Sequence, residues 1–83
     1  MKNFRGFLAQ YKIATNNNDA YVKLTDLRNN VSVKLSLFNT SFDDASDIAE
    51  EFLNTKGINL EGRIQNSQNG YVLFTSNFES KIK

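Results

Sequence analysis

The chain has no cysteine, no histidine, no proline and no tryptophan among its 83 residues, and only four glycines. Without cysteine there is no disulfide to staple a small fold and no thiolate to hold zinc. Without histidine the commonest general base and the commonest transition-metal ligand are both missing. Neither a Ser-His nor a Cys-His nucleophile pair can form. Only carboxylate chemistry is left for catalysis, so the expectation is a binding protein that is not an enzyme and uses no cofactor or metal. No apolar run approaches the ~18 residues of a membrane-spanning helix. The N-terminal stretch carries Lys2 and Arg5 but no long apolar segment, so it does not read as an export signal. A cytoplasmic protein that does not engage membranes is expected.

What is present is modest in size and uneven in charge. A chain of this length makes one domain, residues 1–83, and buries roughly 60% of its unfolded surface. The net charge is +1, yet residues 41–57 sum to −4 and the remainder to +5. A polyanion responds to local field more than to the total, so the basic remainder matters.

The centre of the pattern is residues 20–38. Val22 and Leu24 alternate with Tyr21, Lys23 and Thr25; after a short polar turn, Val31, Val33 and Leu35 alternate with Ser32, Lys34 and Ser36. Period-two alternation predicts two strands with one apolar face and one wet face. The wet face carries two lysines, hydroxyls and a tyrosine, and no acid. A first strand is expected over 4–14, with Gly6 marking a bulge where the apolar parity switches. The run from Ser41 to Lys56 reads as a helix. Ser41 is the expected N-cap, acids crowd the first turns, Ala45, Ile48, Ala49 and Phe52 form one stripe, and Gly57 ends it. A fourth strand is expected over 58–65, and a fifth from Tyr71 to Thr75 after an Asn-Gly turn signal. Phe78 reads as a further apolar anchor in the tail.

The element order is therefore β-β-β-α-β-β. A flat five-stranded sheet would expose its edges, and closing it hides them. The expected fold is all-β with one helix, a five-stranded Greek-key barrel of the OB type with the helix plugging one end. A three-stranded sheet backed by the helix, with a separate hairpin, is the rival arrangement.

The segment Val22-Lys23-Leu24-Thr25-Asp26 through Leu35 resembles the second and third strands of OB modules of the anticodon-binding type, found in replicative bacterial DNA polymerases and some aminoacyl-tRNA synthetases. Phe4-x-Gly6-x-Leu8 and Leu60-x-Gly62-x-Ile64 are similar to their first and fourth strands. The resemblance implies a module binding single-stranded DNA or RNA with little sequence preference, in a setting such as DNA replication. Carried onto this chain, it implies that Lys23 and Lys34 meet phosphate, Tyr21 stacks on a base, and Thr25, Ser32 and Ser36 hydrogen-bond sugar or base edges. Lys12 and Arg28 extend the positive field, and Arg63 and Tyr71 flank the loop between the last two strands. Plainer readings stand beside these. Alternating lysines also occur on solvated strands, and Arg63 can pair with Glu61 or a helix acid. Phe7 reads as core or as an exposed stacking ring, with core favoured, and Phe42, Phe52, Phe74 and Phe78 read as core. The alternative function is an accessory module that docks a protein partner through its acidic helix or a sheet edge.

Overall fold

The computed structural model describes residues 3–17, 19–37, 44–67 and 70–82. β1 (Arg5–Lys12), β2 (Tyr21–Asp26) and β3 (Val31–Ser36) precede α1 (Ala45–Thr55), which is followed by β4 (Gly62–Ser67) and β5 (Gly70–Thr75). The chain is thus all-β with one helix among the described residues, in the element order that the sequence pattern predicts.

All strand pairings are antiparallel, and the sheet order is β3-β2-β1-β5-β4. The closed Greek-key barrel is not confirmed: the sheet is open, with β3 and β4 at its edges. β2 takes one side of β1 and β5 takes the other, which leaves β4 outermost. Gly6 opens no bulge. β1 and β5 stay in register from Arg5↔Thr75 to Gln10↔Gly70, and the irregularity falls instead between Gln65 and Ser67 on β4.

Burial follows the alternation. Phe7 and Ala9 of β1, Val22 and Leu24 of β2, Leu35 of β3 and Leu73 of β5 point to one face, where Ala45, Ile48, Ala49 and Leu53 of α1 cover them. Fully burying each of the larger side chains, Val, Leu, Ile or Phe, stabilises by roughly 1.5–3 kcal/mol. Phe7 is core and Phe52 packs half-buried against it. Phe74 lies half-buried on the opposite face and Phe78 is exposed, while Phe42 lies outside the described residues. The buried anchor of the tail is Ile82, not Phe78.

The helix starts later than the sequence suggests. Its N-cap is Asp44, extended at φ −110°, ψ 132°, whose carboxylate accepts from the Ser46 N–H at 2.7 Å. Ser41, the expected cap, lies outside the described residues. At the other end, Gly57 sits at φ +80°. Its N–H donates to the Asn54 carbonyl and the Ile58 N–H donates to the Leu53 carbonyl, a Schellman motif. Ile58 is thereby buried as part of the helix stop, so β4 begins only at Gly62.

One polar hub sits within this core. Arg5 and Asp26 form an ion pair at 2.6 Å with both side chains fully buried. Arg5 also donates to the carbonyls of Asn77 and Ser80, at 3.3 and 2.5 Å. Asp26 accepts from the N–H groups of Arg28 and Asn29 and from the Asn29 side chain. The pair therefore fixes both the β2–β3 turn and the C-terminal segment. No helix among the described residues is long and apolar enough to cross a membrane.

Candidate nucleic-acid interface

Opposed residues of an antiparallel pair share a face, so the registers map the side turned away from α1. Its first row reads Ser36, Tyr21, Lys12 from β3 to β1. The second reads Lys34, Lys23, Gln10 and continues to Gly70 of β5. The third reads Ser32, Thr25, Leu8, Val72, Ile64 across all five strands. The fourth holds Gly6, Phe74 and Gly62.

Seven of the sequence-predicted residues thus come together: Lys12, Tyr21, Lys23, Thr25, Ser32, Lys34 and Ser36. Among the described residues no acid occupies a strand position on this face, because the one acid in a described strand, Asp26, points into the core. Lys23 lies directly opposite Lys34, a like-charge pairing that costs stability. Lys34 Nζ sits 4.7 Å over the Tyr21 ring, which orients the ammonium and covers one face of the ring. The Thr25 and Ser32 hydroxyls bond each other at 3.0 Å.

The other three predicted residues lie elsewhere. Arg28 follows β2 at the end of the sheet remote from Lys12, with its guanidinium 4.8 Å over the Phe78 ring. Arg63 and Tyr71 occupy the helix face. Arg63 donates to Asp47 at 3.1 Å and to the Ser46 hydroxyl, and the Tyr71 hydroxyl donates to Asp44 at 3.0 Å. The Asp44 hydrogen bond, reinforced by burial, pushes the Tyr71 phenol above its ordinary value. Burial works to raise the Asp44 carboxyl, but hydrogen bonds from Ser46 and Tyr71 and the charge of Arg63 outweigh it, so the carboxyl titrates lower than usual. These groups form a clamp between the helix start and the β4–β5 hairpin. Pairing of Arg63 with a helix acid is the plainer alternative that the sequence offers.

Sequence reasoning missed the apolar half of the open face. Leu8, Val72 and Phe74 are half-buried there, and Ile64 and Leu27 are exposed. Phe4 meets Phe74 edge-on at 5.2 Å between centroids. The signal lay in Phe4-x-Gly6-x-Leu8, whose even-numbered apolar residues take the face opposite Phe7 and Ala9. A groove between α1 and β4, walled by Asp47, Glu50, Leu60, Glu61, Arg63 and Leu73, lies on the helix side. No group of three or more acids among the described residues is arranged to hold a metal ion.

The described residues form a two-layer module: one helix on an open antiparallel sheet, with Lys12, Lys23 and Lys34 on the side away from the helix. No protein-family model, curated protein or solved structure matches this chain.

Proposed function

We propose that the chain binds single-stranded nucleic acid across the open face of β1, β2 and β3, without catalysis and with little sequence preference. The observation that carries this is the grouping of Lys12, Lys23 and Lys34 beside Tyr21 on one face that has no strand acid. Cations track the phosphates and the ring offers a stacking surface. The likeness to OB modules belongs to this proposal only as the shared use of a strand-two and strand-three face; the barrel itself is not needed for it. A cytoplasmic setting goes with the same reading.

The test is an oligonucleotide titration followed by fluorescence anisotropy across a salt series. Three phosphate contacts give a slope of log K against log salt of about −2 for a single strand. Lys23→Glu combined with Lys34→Glu should abolish binding, while Lys56→Glu on the helix end should leave it intact. Absence of binding at low salt refutes the proposal.

A second reading has its own observation: Glu50 and Glu51 are exposed on the helix beside an acid-walled groove. It predicts capture of a basic protein partner that depends on Glu50 and is insensitive to the lysine substitutions.

A further inference from the structure

We propose that the apolar half of the open face takes the bases of the strand whose phosphates follow the lysines. This rests on the nucleic-acid reading above and adds how the ligand lies and why it must be single-stranded. The row holding Leu8, Val72 and Ile64 is adjacent to the row holding Lys23 and Lys34. Adjacent rows are about 7 Å apart, two residues along a strand. On β2 and β3 the Leu8 row holds Thr25 and Ser32, and the apolar positions continue it one, two and three strands further on, on β1, β5 and β4, at about 4.8 Å per strand. A strand held by its phosphates at Lys34 and Lys23 can therefore lay the bases of its following nucleotides on Leu8, Val72 and Ile64.

The apolar strip is also accessible. Ile64 is 61%, Leu27 51% and Phe4 44% exposed. Gly6 and Gly62 leave room for neighbouring apolar side chains: Leu27 packs over Gly6, and the Phe74 ring lies over Gly62 where a Cβ would stand. A large exposed apolar surface marks a site of contact. The lysines at its β2–β3 end select the occupant: a partner that carries negative charge and flat apolar groups along the same chain. A duplex turns its bases inward and offers this face only phosphate. A single strand presents both.

The experiment compares three ligands of about ten nucleotides: a base-bearing single strand, an abasic strand with the same backbone, and a duplex. Anisotropy at low salt is read for the wild type and for Ile64→Ser with Leu27→Ser, both exposed positions. The abasic strand and the duplex should bind roughly tenfold more weakly than the base-bearing strand. The double variant should lose a similar factor for the base-bearing strand and nothing for the abasic one. Equal binding of abasic and base-bearing strands overturns this inference alone and leaves the lysine site standing. No binding of any oligomer overturns both. Binding of phosphatidylserine vesicles in place of oligonucleotides assigns the face to an anionic membrane and also overturns the inference.

Discussion

Lys23→Glu separates the cost of the basic face from its use. Lys23 and Lys34 are directly opposed across β2 and β3. Opposed like charges destabilise a sheet, and an opposed pair of opposite sign contributes roughly 0.2–1 kcal/mol. Reversing Lys23 removes a repulsion and adds an attraction, so a gain of about 0.5–1 kcal/mol is expected. Lys34 is the poorer position to change, because its ammonium lies over the Tyr21 ring. That contact contributes about 0.5–1 kcal/mol at an exposed site and would offset the gain. In a domain of this size 1 kcal/mol moves Tm by about 4–8 °C, so Tm should rise by about 2–8 °C. The rise should shrink in 1 M salt, where the Debye length is about 3 Å. Binding should move the other way. One phosphate contact is lost from the face, so the single-strand salt slope should flatten by about 0.7. Thermal unfolding by circular dichroism and the anisotropy series read the two effects independently. A lower Tm with binding unchanged would refute the argument, since the lysines would then neither repel each other nor meet phosphate.

Three further outcomes follow from the helix face and the edge. Arg5→Met or Asp26→Leu alone should cost about 3–5 kcal/mol in urea unfolding, because each strands a buried charge, and the double variant should cost less than either single change. Burial raises the Asp26 carboxyl, but hydrogen bonds from Arg5 and Asn29 outweigh it and hold the group below its ordinary 3.8. Asp26, and Asp44 with it, therefore contribute stability that is present above the ordinary value of 3.8 and lost as pH falls through the depressed native value; urea midpoints should fall on acidification below about pH 4, and Asp26→Asn should blunt that dependence. Gly62→Ala puts a methyl where the Phe74 ring sits, and should cost about 1–3 kcal/mol in the same assay.

The strand pair at the centre was legible because alternation is a local property. Val22, Leu24 and Leu35 are buried and Lys23 and Lys34 share the other face, as period two requires. The helix stop was legible for the same reason: Gly57 is where a left-handed residue is needed. Closure was not legible, because whether β5 joins β1 or β3 depends on partners some 60 residues apart, and element order is compatible with both. Arg5 shows a second limit. Its spacing places it on the core face with Phe7 and Ala9, but a charged residue there reads as exposed until Asp26 is found beside it. Arg63 and Tyr71 failed to join the lysine patch by parity alone. Each is paired in register with the core side of β4 and β5, which puts it under the helix and not on the open face.

The distribution of charge ties these observations together. On the helix side two cations have acids: Arg5 meets Asp26 and Arg63 meets Asp47. From the acid-rich segment, Asp44 caps α1 and accepts from Tyr71, and Asp47 holds Arg63, while Glu50 and Glu51 stay exposed. On the open face Lys12, Lys23 and Lys34 have no acid at any strand position to meet them, and two of them oppose each other. A fold selected only for stability gains nothing from that pairing, since one sign change would relieve it. An anionic ligand changes the balance. It removes the repulsion when it binds, and its binding free energy adds to the stability of the folded state by mass action. On the proposed reading the surface is completed by a polyanion, and the apolar strip that continues the sheet beyond the lysines is where its exposed flat groups would lie.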